Sequence, residues 1–136
     1  MFTPAELDYL NGQTLGRFAT VGPSGAPHVV PVGVFLDAGV VVIGGVAGMS
    51  TTKKFRDASR NPAVALVVDD MESAAPWNPR GIEIRGHAET FEEGGEEVGL
   101  RIGAPIRFDS AWIRLVPRRI VTWGIEGTGR TARTVA

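Results

Sequence analysis

Two lysines stand side by side at Lys53 and Lys54, and they are the only lysines of the chain. Ser50 or Thr51 just before them is the expected helix N-cap, and Asn61-Pro62 supplies a stop. Cations at a helix N-terminus oppose the macrodipole, so the pair does nothing for the helix alone. A bound phosphate or carboxylate reverses that sign. The preceding Ile43-Gly44-Gly45-Val46-Ala47-Gly48-Met49 would leave backbone N–H groups free to face such an anion. The segment is therefore a candidate anion site, weighed against a plain flexible connection followed by a solvated basic face. A second cluster, Ala75-Pro76-Trp77-Asn78-Pro79-Arg80-Gly81, sets a large aromatic between prolines and beside a planar cation. Trp77 there either caps a planar ligand or an interface, or folds back onto its own domain. Arg80 offers a fork for a carboxylate or a ring carbonyl.

Other chemistry is excluded. The chain has no cysteine, which removes disulfides, thiolate metal sites and cysteine nucleophiles together. His28 and His87 lie far apart, with no acidic residue at ligand spacing, so no metal site is expected. Ser24 sits in a turn and lacks the elbow of a serine nucleophile. The glycines before Ser50 form neither G-x-G-x-x-G nor a Walker sequence, and the strand they follow is the third, not the first. Trp112 and Trp123 fall in strand patterns and read as core or interface. Glu83, Arg85, Glu89 and Arg114 alternate outward as cross-strand ion pairs. No catalytic side chain can be named, so a cofactor has to carry any reaction.

The elements that position these residues follow from pattern. The chain has 136 residues, 43% hydrophobic and 21% charged, as expected of one globular domain over 1–136. Fourteen basic and fifteen acidic side chains leave a charge of −1, which attracts neither nucleic acid nor a membrane surface. No apolar run approaches the roughly 18 residues of a membrane span, and Met1–Glu6 lacks the layout of a secretory signal. A soluble, cytoplasmic domain is expected. Thr3-Pro4-Ala5-Glu6 opens a helix with a capping box, and Asn11-Gly12 closes it. Strand patterns follow at Phe18–Val21, His28–Leu36 and Val40–Ile43, joined by turns at Gly22-Pro23-Ser24-Gly25 and Asp37-Ala38-Gly39. Turns this short imply an antiparallel meander. The second helix covers about Ser50 to Arg60. Ala63–Val68, Gly81–Phe91, Ala111–Val116 and Arg119–Ile125 complete the strands, the last two joined at Pro117. Met71–Arg80 reads as a surface loop, Glu92–Arg101 as an acidic turn or weak helix, and 126–136 as a flexible tail. The sum is mainly β: a six- to seven-stranded antiparallel barrel, Greek-key or meander, with two or three short helices.

Several segments in order also carry a family pattern. They are Arg17-Phe18-Ala19-Thr20, Gly25-x-Pro27-x-Val29-x-Pro31-Val32, Lys54-x-Arg56 with Asn61-Pro62-x-Val64, Arg80-Gly81 with Arg85-Gly86, and Ile120-Val121-x-Trp123-Gly124. From Pro4 to Ile125 the chain resembles the split β-barrel flavin and deazaflavin oxidoreductases related to pyridoxamine 5′-phosphate oxidase. It is most similar to their small branch that uses coenzyme F420. The Arg-rich, Gly/Ala/Val-heavy composition also suits the actinobacteria in which that cofactor is common.

The resemblance implies a homodimer with two cofactors in clefts between subunits. It places the ring against Val30, Pro31, Val32 and Gly33, and the phosphate and acidic tail at Ser50, Thr51, Thr52, Lys53 and Lys54. Trp77, Pro79 and Arg80 would approach the ring from their loop, in the same subunit or from its partner. The implied reaction is hydride transfer between F420 and an unsaturated or carbonyl small-molecule substrate. FMN in the same fold, or a deazaflavin carrier without turnover, are the alternatives. Arg114-Leu115-Val116-Pro117 matches the Arg-Leu-x-Pro with which pyridoxamine phosphate oxidases end. Inside a strand pattern it reads as coincidence and argues against that oxidase activity. Haem-degrading relatives use a ligating His in an extra segment that has no counterpart here.

Overall fold

The capping box read from Thr3 and Glu6 forms. The Thr3 hydroxyl accepts from the Glu6 N–H at 3.2 Å, and the Glu6 carboxylate accepts from the Thr3 N–H at 2.9 Å. These bonds start helix α1 (Pro4–Asn11), which buries Tyr9 and Leu10. The structure is a computed structural model and describes residues 1–127 and 129–135. After α1 come strands β1 (Leu15–Val21), β2 (Pro27–Gly33), β3 (Phe35–Asp37) and β4 (Val40–Gly44). A 3-10 turn (Met49–Thr51) leads into α2 (Lys53–Arg60), then β5 (Ala63–Ala74) and β6 (Trp77–Phe91). Helix α3 (Gly95–Arg101), β7 (Trp112–Trp123) and β8 (Arg130–Thr134) complete the chain.

All the strand pairs are antiparallel, in the order β2-β1-β5-β6-β7-β4-β3, with β8 on β7. Alternate residues such as Phe18, Leu66, Val68, Ile82, Ile84, Leu115 and Ile120 turn to one side and form the core of a curled half-barrel. The ladder ends at β2 and β3, so the barrel is split there. β2 carries Pro27 and Pro31, which lack the N–H a central strand must donate, and an edge is where they are tolerated.

The mainly β antiparallel fold with short helices is the one expected, but the described residues form eight strands and several boundaries differ. The run His28–Leu36 is not one strand. The Val34 N–H goes to the Thr14 carbonyl (3.0 Å) instead of a ladder, and β2 and β3 take opposite edges of the sheet, which breaks the expected meander. Met71–Arg80 is not a loop. β5 and β6 pair through it as a hairpin, with a register shift between Met71 and Ser73, because pairing satisfies backbone groups whatever the side chains. Pro117 does not end a strand either. β7 runs through it on a bulge, where Arg85 opposes Arg119 while Gly86 opposes Pro117. A side chain at Gly86 would collide with the Val116 carbonyl. Within the expected flexible tail, Arg130–Thr134 instead pairs with β7. There Arg133 grips the buried Glu6 carboxylate at 2.6 and 2.7 Å. That expectation for Thr128 and Ala136 lies outside the described residues. No described helix is long and apolar enough to cross a membrane.

Candidate functional site

The start of α2 is assembled by hydroxyls. Thr52, and not the expected Ser50 or Thr51, is the N-cap, because the 3-10 turn takes up Met49–Thr51 and α2 starts only at Lys53. Its Oγ1 accepts from the Phe55 N–H at 3.3 Å and donates to the Met49 carbonyl at 2.7 Å. Thr51 donates to the Gly48 carbonyl at 2.8 Å, and Ser50 and Thr51 are exposed. The first-turn N–H groups of Lys53 and Lys54 have no acceptor inside the helix.

The two lysines part company here. Lys53 Nζ lies 3.1 and 3.2 Å from the two oxygens of Asp57, one turn on. Asp57 is only 2% exposed and also accepts from the Thr20 hydroxyl at 3.0 Å. Burial works to raise the Asp57 pKa, but the hydrogen bonds from Lys53 and Thr20 outweigh it and hold the carboxyl below its ordinary range. Lys53 is thus part of the fold. Lys54 is half-buried, and among the described residues no carboxylate lies within 4.0 Å of it. Burial alone pushes its pKa down. A partly desolvated ammonium without a counter-ion is the electrostatic mark of an anion site.

The glycines preceding the helix do a different job from the one expected. The Met49 N–H is taken by Asp109 Oδ2 at 3.0 Å, and the Asp109 N–H donates to the Gly45 carbonyl at 2.6 Å. Backbone bonds from Met49, Ser110 and Gly48 hold the Asp109 carboxyl below its usual range. The chain therefore supplies its own anion to the glycine segment. Gly44 and Gly45 are small for packing, since a Cβ would strike the Phe108 ring at one and Met49 at the other. One step further on, Lys54 is the cation of this segment that no described carboxylate neutralises.

β2 begins beside this helix end, where Lys53 Nζ stands close over Gly22 in the β1–β2 turn. At about 3.3 Å per residue it then carries Val30, Pro31, Val32 and Gly33 up to roughly 20 Å away. Val32 is buried, Val30 and Gly33 are half-buried, and Pro31 is exposed on the open edge. These residues follow one another along β2, away from the turn at Gly22.

Trp77, Pro79 and Arg80 lie on β6, two strands across the sheet from β1 and toward the same end as Gly33. Ala19, next to Thr20, is level with Ala65 and Arg85 across the sheet. From there Trp77 is about 25 Å further along β6, in the direction in which β2 carries Gly33 about 13 Å. Trp77 stands at the hairpin tip, 75% exposed, and Pro79 is exposed as well. Arg80 is already engaged: Nε and an Nη meet the two oxygens of Asp70 at 2.8 and 3.1 Å. Tyr9 lies 5.2 Å beneath its guanidinium and donates its hydroxyl to Asp70 at 2.7 Å. The bonds from Arg80 hold the Asp70 carboxyl low, while burial and Asp70 push the Tyr9 hydroxyl up. Asp57, Asp70 and Asp109 are the residues that sequence reasoning missed. Only Asp57 left a signal, its i,i+4 spacing from Lys53.

The remaining expectations divide. Arg114 and Glu89 form the expected cross-strand pair at 2.7 Å, whereas Arg85 pairs with Glu83 on its own strand at 3.0 Å. Trp112 is core, stacked on Phe91 with ring centroids 4.4 Å apart, and Trp123 is half-buried over Gly81. Among the described residues no group of three His, Asp or Glu side chains could hold a metal.

The sequence profile of the family described as pyridoxamine 5′-phosphate oxidase matches residues 2–124. The chain is 43% identical, over 139 aligned positions, to a 5a,11a-dehydrotetracycline/5a,11a-dehydrooxytetracycline reductase of Streptomyces rimosus. That alignment covers 98% of this chain and 93% of the relative. Among solved structures, a conserved hypothetical protein of Mycobacterium tuberculosis superposes with a TM-score of 0.72 at 24% identity, covering 93% of this chain and 87% of that one. An F420 reductase superposes with a TM-score of 0.61, also at 24% identity, covering 83% of this chain and 94% of the other.

Proposed function

The chain belongs to the pyridoxamine 5′-phosphate oxidase family, and from that premise we propose that it is an F420-dependent reductase of a multi-ring small molecule with an electron-poor double bond or carbonyl. The reductase at 43% identity supports the reaction class and the kind of substrate. The single structural observation that carries the cofactor reading is Lys54, a half-buried cation in the first turn of α2 with no carboxylate within 4.0 Å among the described residues.

In this reading the Lys54 ammonium and the first-turn N–H groups of α2 hold the phosphate and acidic tail, with Ser50 and Thr51 at the mouth. Lys53 fixes the helix through Asp57 instead of binding the tail. Val30, Pro31, Val32 and Gly33 form the apolar rail against which the ring is oriented. When bound, a deazaflavin supplies the hydride chemistry, which no side chain of this cluster offers. The protein contributes orientation and exclusion of water. Gly33 is level with Gly81 across the sheet, so Trp77 and Pro79 approach the ring end of the rail from the same subunit or from its partner. The reading includes a homodimer with the cofactor between subunits.

Titration of the purified protein with F420, followed by its fluorescence, tests this. Saturable binding in the micromolar range, together with oxidation of reduced F420 by a dehydrotetracycline or another cyclic enone, is the expected result. No binding sinks the proposal. A protein that is yellow as isolated, with an absorbance band near about 450 nm, is an FMN enzyme instead. Tight F420 binding without turnover across such a panel makes it a carrier.

A further inference from the structure

At its far end from Lys54, β2 opens onto a cavity of about 550 Å³. Three separate segments wall it: Gln13, Thr14 and Leu15 between α1 and β1, Gly33 and Phe35 where β2 passes into β3, and Ile106 in the coil after α3. The size lies within the roughly 300–1,000 Å³ of small-molecule sites.

The chemistry of the walls is specific. None of the lining side chains carries a formal charge. Leu15 and Ile106 are 50% and 42% exposed at its rim, apolar surface that gains by being covered. Phe35 supplies a flat wall. Its ring lies where a Cβ on Gly33 would stand, and packs edge-on against Phe108 with centroids 5.2 Å apart. The amide of Gln13, which also bonds the Asp70 carboxylate, and the hydroxyl of Thr14 are groups that both donate and accept hydrogen bonds. They can match carbonyl and hydroxyl oxygens on a ligand edge but cannot neutralise an ion.

We infer that this cavity seats the substrate's ring system, and that it selects an uncharged, flat, oxygen-bearing compound of two or more fused rings, a quinone or cyclic enone. The inference rests on the reductase reading above and adds where the substrate sits and which residues select it. Gly33 joins the two ligands' places, since it ends the apolar rail of β2 and begins the cavity. A neighbouring cavity of about 440 Å³, on the other side of Pro105 and Ile106 and bordered by Leu100, serves as the internal control.

The test uses the full chain, with and without F420, and two probes: neutral 2-methyl-1,4-naphthoquinone and anionic 1,4-naphthoquinone-2-sulfonate. The neutral quinone should bind saturably by calorimetry and shift the amide resonances of Gln13–Leu15 and Gly33–Phe35. The sulfonate should bind at least tenfold more weakly. Ile106→Trp, which fills the cavity from an exposed position, should weaken the neutral quinone at least tenfold and leave F420 affinity within twofold. Ile106→Leu should restore it, and Leu15→Trp gives the same reading should Ile106→Trp fail to fold. The inference is overturned if the neutral quinone does not saturate, if the sulfonate binds equally well, or if Leu100→Trp in the neighbouring cavity has the larger effect. Loss of F420 together with quinone in Ile106→Trp also overturns it, because the cavity is then part of the cofactor's seat. Quinone binding that survives in a wild-type protein unable to bind F420 would sink the reductase reading and leave the cavity assignment standing.

Discussion

The start of α2 and the base of the β5–β6 hairpin both present basic side chains that suit an anion, and the fold treats them in opposite ways. At the hairpin, Asp70 meets Arg80 through two bonds and Tyr9 adds a third, so the cation is neutralised within the chain. At α2, Asp57 serves Lys53 alone and Lys54 keeps its charge in a half-buried place. On the proposed reading, a basic cluster becomes a binding site through the absence of an internal counter-ion, and the number of cations is secondary. The glycine segment before α2 follows the same pattern at its end, where Asp109 takes the N–H groups of Gly48 and Met49.

Substituting the two lysines separately breaks this comparison most directly. Lys54→Ala should weaken F420 tenfold or more at low salt, and by less as added salt screens the lost charge, with thermal stability nearly unchanged. Lys53→Ala should do the reverse. It leaves Asp57 buried without its cation, so the melting temperature should fall by about 5 °C or more, while affinity changes far less. Equal loss of affinity in the two variants would erase the distinction drawn here.

The hairpin gives the next largest effect. Tyr9→Phe removes one hydrogen bond to a carboxylate and should cost about 1–2 kcal/mol in denaturant unfolding, without altering the affinity of the tail. Acid titration sharpens the same point. Asp70 has a folded pKa below its ordinary 3.8, so its contribution to stability is present above that pH and is lost as pH falls through the lower folded value. Asp70→Asn should remove that part of the acid transition. At the α2 end the corresponding titration is alkaline. Burial lowers the Lys54 pKa from 10.5, so tail binding should decline with rising pH before an exposed lysine would lose its charge. The Lys54→Ala variant should lack that decline. The smallest stability effect belongs to Trp77→Ala, within about 0.5 kcal/mol for so exposed a residue. A loss of F420 affinity or of dimer mass in this variant would place Trp77 in its partner's site.

Much of the frame was legible in the residues. Thr3 and Glu6 announced the first helix, Asn61-Pro62 closed the second, and alternation in Gly81–Phe91 identified the strand at the centre of the sheet. The misreadings share a cause. At Met71–Arg80, Pro117 and Arg130–Thr134, composition suggested loops or a frayed end, but strand pairing is decided by backbone partners distant in sequence. The same limit applied to the site. Lys53 and Lys54 stood out together, and only Asp57 at helical spacing hinted that one of them was taken.

What the sequence by itself determined is local or compositional: the helix caps, the prolines that keep β2 at an edge, the lysine pair at a helix start, and the lack of any thiol. Each depends on a residue's own chemistry or on neighbours within about one turn. What only the tertiary structure decided is which polar groups remain unpaired. Thr20 from β1 and the burial of Asp57 commit Lys53, Asp109 fills the glycine segment, and Asp70 claims Arg80. Pairing of this kind depends on separations of a few ångströms between residues far apart in sequence, and only folding sets those distances.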